Sequence, residues 1–175
     1  MPSVRGRTAE DLSGCVRALR EVHGTDGYPA VWPASPSDWL NPPGCCAAWV
    51  AMSGNSVIGH VCLIRGVDDP LVTALTGGGP DRLAAVSRLF VAPSSRGHHV
   101  GADLLAALSG FASEKNLQLM LDVVDDESPA VALYERLGWQ LVDRRRADWA
   151  TPDGRRPPLR VYLAPSATCH GSAPD

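Results

Sequence analysis

LFVAPSSRGHHVGADLL, residues 89–105, joins the end of an apolar strand to the start of a helix through a short turn. Pro93 ends the strand because proline has no backbone N–H to donate to a neighbouring strand. An amphipathic helix is predicted by four residues at helical spacing: Val100, Leu104, Leu108 and Phe111. The first amides of a helix lack internal partners and favour negative charge, so this turn suits a phosphate.

Composition is typical of one globular domain. The 175 residues are 45% hydrophobic and 20% charged, and no apolar stretch reaches membrane length. The amino terminus has no apolar signal segment, so we expect a cytoplasmic protein without membrane contact. A net charge of -3 offers no basic footprint, so we expect no nucleic-acid partner.

The cysteines and histidines do not form a metal-binding pattern. Five cysteines without CxxC spacing, at positions 15, 45, 46, 62 and 169, indicate reduced thiols rather than a zinc site or a disulfide framework. His98 and His99 are adjacent on a turn, where their side chains diverge, and no third ligand is near. We therefore expect no metal, and imidazoles that face solvent or flank the phosphate.

The first half of the chain predicts a helix, a loop and a hairpin. Thr8 caps a helix whose apolar spacing continues to Gly24. Residues 25–44 form a loop rich in Pro and aromatics, with one short helix. Residues 45–52 and 57–64 are apolar strands joined by a tight turn.

The second half predicts alternating strands and helices. Residues 68–81 read as a flexible connection, followed by a strand over residues 84–91. Residues 117–124 alternate with period two, which places Asp122 opposite the leucines of a mid-sheet strand. A helix runs from Ser128 to Gly138. The last strands, 139–142 and 159–163, enclose a loop that contains Arg144, Arg145, Arg146, Arg155 and Arg156.

Two segments together resemble the GNAT (GCN5-related) N-acetyltransferase family. VAPSSRGHHVGADLL resembles the strand, VxP and (Q/R)xxGx(G/A) signature, with matches at Val91, Pro93, Arg96 and Gly101. His99 stands where the family has its first glycine. ESPAVALYERLGW resembles NxxAxxLYxxxGF, with matches at Ala130, Leu133, Tyr134, Gly138 and Trp139; the usual Asn is Glu127, beside Ser128.

The resemblance implies a single-domain α/β (α+β) fold. Its mixed, twisted central sheet is flanked by helices and splayed between strands 4 and 5, where the pantetheine arm is seated. Because the pattern fits residues 4 to 164, we expect a GNAT-like domain over residues 1–164 and a disordered tail over residues 165–175. Dimers are common in the family, so a homodimer stays open.

The implied cofactor is acetyl-CoA, used as a co-substrate. Amides of residues 96–102 would hold the pyrophosphate, and we expect His99 to loosen or reshape this site rather than abolish it. The implied cofactor-binding residues are Leu89, Phe90, Val91, Arg96, Gly97, His98, His99, Val100, Gly101, Ala102, Ser128 and Tyr134.

The implied reaction is direct transfer of acetyl to a primary amine of a small molecule or peptide. Tyr134 would protonate the leaving thiolate. No carboxylate lies on strand AAVSRLFVAP, whose polar interior positions are Ser87 and Arg88, so the general base is open. Asp122 comes first, although it also suits a structural role beside an arginine. The alternatives are His23, Asp26, a water chain or no dedicated base.

The sequence also allows other roles for the aromatic loop and other functions for the chain. Tyr28, Trp32 and Trp39 either line the acceptor pocket or pack in the interior. A non-catalytic acyl-CoA-binding sensor or scaffold is the alternative function, motivated by His99, Glu127 and the missing acid on strand four. A nucleotide-binding α/β domain is disfavoured because GK(S/T) and GxGxxG are absent.

Overall fold

A computed structural model describes residues 1–165, so the predicted tail lies, apart from Pro165, outside the described residues. The strands are β1 (Ser3–Gly6), β2 (Cys45–Ser53), β3 (Ser56–Ile64), β4 (Leu83–Val91), β5 (Gln118–Val124), β6 (Gln140–Arg146) and β7 (Pro158–Leu163). The helices are α1 (Leu12–Asp26), α2 (Pro36–Trp39), α3 (Pro70–Thr76), α4 (Val100–Glu114) and α5 (Pro129–Arg136). None of these helices is long and apolar enough to cross a membrane.

The strands form one mixed sheet in the order β1-β2-β3-β4-β5-β7-β6. Every neighbouring pair is antiparallel except β4 and β5, which are parallel. These two strands pair only where Leu83–Ala85 meets Gln118–Met120. Beyond that point neither strand bonds to the other, so the sheet opens into a cleft. The predicted fold class and the splay between strands 4 and 5 are confirmed.

A β-bulge interrupts β4 beside this cleft. His60 pairs with Phe90 and Cys62 pairs with Ser87, so two residues of β4 oppose one residue of β3. One of the two, Arg88, has a φ of 55°, which is the left-handed region. Bulges of this kind bend a strand and redirect its side chains.

Helices cover both faces of the sheet. One face packs against α4 and α5 through a large cluster that includes Leu104, Leu108, Leu121 and Tyr162. The other packs against α1 and α2 through residues such as Leu19, Leu40 and Val50. Burial of one such leucine contributes about 2 to 3 kcal/mol, so these clusters hold the helices that flank the cleft.

Predictions for one helix and one loop were wrong. Helix α1 continues through Gly24 and ends at Gly27, whose φ of 68° suits a glycine cap, while Thr8 precedes a 3-10 turn rather than α1 itself. Residues 68–81 are not simply a flexible connection, because they contain α3. The Asp69 side chain accepts a bond of 3.1 Å from the amide of Val72 and so caps that helix.

Two further elements differ from expectation. Arg144, Arg145 and Arg146 lie on β6 and not in the following loop, because β6 extends beyond the apolar residues that predicted it. Arg144 pairs with Asp125, and Arg145 pairs with both Asp69 and Asp143, which explains how a charged strand is accommodated. Strand β1 was not predicted, since four residues at a sheet edge give too short a pattern.

Candidate active site

The turn between β4 and α4 presents a row of free backbone amides. Within residues 1–165, no acceptor contacts the N–H groups of residues 97–102, and the first helical bond runs from Asp103 N to His99 O at 2.9 Å. Free amides at a helix start, together with the helix dipole, form a site for an anion. Six consecutive donors match the many oxygens of a diphosphate, so the residues present fit this part of acetyl-CoA.

His99 takes a left-handed conformation in this turn, with a φ of 59°. A side chain in this region costs roughly 1 to 2 kcal/mol, which explains why a glycine is the expected residue. The His99 amide nevertheless stays free. The substitution therefore adds backbone strain without removing a donor.

Arg96 does not stand free beside the amides. Its guanidinium pairs with Asp26 at the end of α1, and both side chains are 36% exposed. Asp26 is thereby engaged, which disfavours it as the general base.

Near the same turn, a Cβ on Gly101 would lie 3.0 Å from Leu133 Cδ2, so this glycine allows α4 and α5 to approach closely. Ser128 is at the N-cap of α5, and its amide bonds to Asp126.

Tyr134 places a free hydroxyl beside the cleft. The residue is only 6% exposed, and its ring packs on Trp139 and Tyr162 with centroids 5.8 and 6.1 Å away. Its hydroxyl makes no hydrogen bond within the described residues, and the one fully buried polar side-chain atom without a partner there belongs to Thr73. The Tyr134 hydroxyl therefore reaches the open cleft. Burial, followed by the charges of Tyr28 and Asp122, raises its pKa well above 10.

Asp122 lies on β5 beyond the last β4–β5 pair, on the face opposite Leu121, as predicted. The residue is exposed to solvent, although neighbouring protein atoms desolvate part of the carboxylate. This desolvation raises the pKa of Asp122, with a smaller opposing effect from Arg145. It forms no ion pair among the described residues, so it is not the structural partner of an arginine.

Tyr28 and Trp39 form an aromatic wall on the other side of the cleft. Their rings meet edge to face at 5.9 Å, and the Arg88 guanidinium lies 4.1 Å from the Trp39 ring centre. Tyr28 is 37% exposed, but desolvation by the surrounding protein still raises its pKa to about 12, and the charges of Arg88 and Asp122 act on the hydroxyl with opposite sign. Tyr28 therefore lies within electrostatic range of both Arg88 and Asp122.

Trp32 lies elsewhere. Its ring packs against His23 at 5.3 Å and against Arg20 at 5.5 Å, over α1. His23 Nδ1 bonds to the carbonyl of Pro29 at 2.8 Å. The structure thus separates Trp32 and His23 from the wall that Tyr28 and Trp39 form.

His60 is a residue of this site that the sequence did not reveal. It is fully buried, and Arg7 Nη1 donates to its Nε2 at 2.8 Å, so Nδ1 carries the proton and donates to the Arg88 carbonyl at 2.9 Å. Burial lowers the pKa of His60 to about 4. The one available signal was a lone imidazole inside the apolar strand VIGHVCLI.

A separate groove lies away from this cleft. Its volume is about 720 Å³, and it lies between α4 and the start of β5, with Leu105, Leu117 and Trp139 in its wall. It contains neither Tyr134 nor Asp122. No group of three or more His, Cys, Asp or Glu in residues 1–165 is arranged to hold a metal ion.

The sequence matches the model of the Acetyltransferase (GNAT) family over residues 14–139, so the chain belongs to this family. The predicted family is confirmed, and acetyl-CoA is the acetyl donor that the family uses.

Solved structures share the fold. The ribosomal-protein-S18-alanine N-acetyltransferase from Escherichia coli is 17% identical, with a TM-score of 0.70 and 100% coverage of both chains. NAA60 from Arabidopsis thaliana in complex with acetyl-CoA is 17% identical, with a TM-score of 0.72 over 93% of this chain and 97% of that one. The ribosomal-protein-alanine N-acetyltransferase from Brucella melitensis is 21% identical, with a TM-score of 0.70 over 92% and 98%. No curated protein sequence matches.

Proposed function

We propose that this protein transfers the acetyl group of acetyl-CoA to a primary amine of a small molecule or peptide, by direct attack in a ternary complex. The observation that carries the proposal is the row of six free amides at residues 97–102, beside the cleft that the Tyr134 hydroxyl reaches. The transfer requires a binding site for the diphosphate and a polar group near the thioester. The free amides and the Tyr134 hydroxyl would supply these two features.

Binding is assigned to the turn and to the open edge of β4. The amides of residues 97–102 would hold the diphosphate, and the unpaired edge of Leu89, Phe90 and Val91 would bond to the pantetheine arm. His98 and Ser128 flank this path. Bound acetyl-CoA supplies an activated acetyl thioester, and holding two reactants in one cleft contributes most to the rate.

Asp122 is the proposed base. Its carboxylate takes a proton from the incoming ammonium, so that the amine nitrogen is free to attack. Desolvation raises the pKa of Asp122, which makes this carboxylate a better proton acceptor than an unperturbed aspartate. As the C–N bond forms, the attacking nitrogen loses its second proton to water. The C–S bond then breaks with its electron pair on sulfur, and Asp122 returns the first proton to solvent.

Tyr134 stabilises the leaving sulfur by a hydrogen bond. Because the pKa of Tyr134 lies well above 10, its hydroxyl is protonated throughout the working pH range. Full transfer of that proton to a thiolate, whose conjugate acid has a pKa of about 8.5, is unfavourable. Its role is therefore narrower than the proton donation that the sequence suggested, and solvent supplies the final proton of the thiol.

The test is acetyl-CoA-dependent acetylation across a broad panel of primary amines. Products and free CoA are counted by mass spectrometry, because the exposed thiol of Cys46 would react with colorimetric thiol reagents. We expect release of CoA that depends on both enzyme and amine. Binding of acetyl-CoA without turnover on any amine would contradict the proposal and support the sensor alternative.

A further inference from the structure

Arg88 is held in a strained conformation at the mouth of the acceptor side of the cleft. It is neither glycine nor asparagine, yet its φ is 55°, and the buried His60 fixes its carbonyl at 2.9 Å. A left-handed conformation costs roughly 1 to 2 kcal/mol, and such residues cluster at functional sites. The Arg88 side chain lies over Trp39, with the guanidinium carbon 4.1 Å from the ring centre.

The Arg88 guanidinium has unused donors. Its Nε donates to the Trp39 carbonyl at 3.1 Å, and Nη1 makes a long contact of 3.4 Å with Ser87 Oγ. Within residues 1–165, Nη2 has no acceptor and Arg88 has no carboxylate partner. A half-buried cation without a counter-charge suits an anionic group that arrives with a ligand.

Asp122 supplies the opposite charge in the same cleft. Continuation of the β4–β5 register would set Asp122 beside Ser87, the neighbour of Arg88, but the strands have separated there. The two charged groups form no ion pair with each other. A cleft with unlike charges that do not neutralise one another is complementary to a molecule that carries both an ammonium and an oxyanion.

We infer that the acceptor is a small zwitterion, an α-amino acid or a close analogue, whose ammonium faces Asp122 and whose carboxylate accepts hydrogen bonds from Arg88. This inference rests on the proposed transfer and adds the substrate class. The Trp39 ring covers one face of the guanidinium and Tyr28 extends the wall, which favours a compact molecule. In a peptide, the α-carboxylate of the first residue is converted into an uncharged peptide bond. Arg88 would then have no carboxylate to bind, so peptides should be poor acceptors.

The test compares each protein amino acid with its own α-carboxamide as acceptor for acetyl-CoA. Side chain and amine are the same within a pair, and only the carboxylate charge differs. Carboxamides have the less basic amine and are more neutral at pH 8, so the comparison is biased against the inference. For the preferred side chain, we expect kcat/KM for the acid to exceed that of the amide by about 10- to 100-fold, as for a charge-assisted pair.

Variants of Arg88 separate binding from structure. Arg88→Met should bring this ratio to 1 or below, because the loss of kcat/KM should fall mainly on the acid; Arg88→Lys should retain part of the ratio. Arg65→Met removes the same charge from an exposed residue that bonds to the Asp81 carbonyl, and should keep the wild-type ratio.

Two results would overturn the inference while the transfer itself stands. One is a wild-type ratio near 1 together with clear turnover of amides or peptides. The other is an equal loss on acid and amide in Arg88→Met. Absence of acetylation with every acceptor would instead contradict the proposed function.

Discussion

His60 Nδ1 lies 2.9 Å from the carbonyl oxygen of Arg88, so a buried imidazole on β3 holds the bulged residue of β4. The partner on the other ring nitrogen is Arg7, which can only donate. A neutral imidazole satisfies both bonds at once, and protonation would break the contact with Arg7. The bulge that shapes the acceptor side of the cleft is thus tied to the protonation state of one residue.

Stability should fall with acid because of His60. Its pKa is about 4 when folded and about 6.5 when unfolded, so the unfolded chain binds more protons between these values. This contribution is fully present above pH 6.5 and is lost as the pH falls towards 4. Urea unfolding should show a free energy lower by about 2 kcal/mol at pH 5 than at pH 7. His60→Asn should be less stable at pH 7 but should lack most of that difference; an unchanged slope would contradict the assignment.

His99→Gly should stabilise the turn between β4 and α4. Glycine adopts a φ of 59° without the side-chain penalty, so we expect a gain of about 1 kcal/mol in urea unfolding and an equal or higher affinity for acetyl-CoA. Asn116→Gly, at a φ of 55° after α4, is the control, and its gain should be smaller because asparagine tolerates this region. A loss of affinity in His99→Gly would show that the imidazole itself contacts the ligand.

Tyr134→Phe should lower kcat by about 10- to 100-fold, the effect expected for a hydrogen bond to a charged sulfur. Stability and acetyl-CoA affinity should change little, because the hydroxyl bonds to no described residue. Tyr162→Phe is a matched control, since its hydroxyl donates to Glu135 at 2.8 Å. That variant should alter stability and leave kcat near wild type. If Tyr134→Phe keeps the wild-type kcat, the hydroxyl has no role in the mechanism.

Asp122→Asn should abolish the acidic limb of the pH profile. In the wild type, kcat/KM should rise with pH as Asp122 ionises, with a midpoint above the ordinary 3.8. We expect the variant to lose about 100-fold in kcat/KM at neutral pH. Because partial desolvation disfavours the Asp122 charge, the variant should be at least as stable as wild type at pH 7.

Asp153→Asn is the control for Asp122→Asn, since it removes an equal charge in the β6–β7 loop. Its pH profile should match that of the wild type. Wild-type rates in Asp122→Asn would point to a water chain or to an amine that needs no base.

The sequence predicted the elements whose signals are local. The turn after Pro93, the N-cap at Ser128 and the alternation around Asp122 each follow from a few neighbouring residues, and the structure has them in place. Helix α3 was missed because its cap depends on Asp69, whose carboxylate is held by Arg145 from a strand far along the chain.

The candidate site was predictable on the cofactor side and much less so on the acceptor side. Free amides follow from a helix start, but the link between Arg7, His60 and Arg88 joins three distant segments. Likewise, the sequence does not distinguish the roles of Trp32 and Trp39. In the structure Trp32 packs against His23, and Trp39 packs against Arg88.

Backbone NMR of the 15N-labelled protein during titration with acetyl-CoA tests the central claim most directly, because it reports where the cofactor binds. We expect the amide resonances of residues 97–102 to shift together and saturate, along with those of Leu89 and Val91. The absence of shifts at millimolar acetyl-CoA, or shifts confined to the groove beside Leu117 and Trp139, would contradict it.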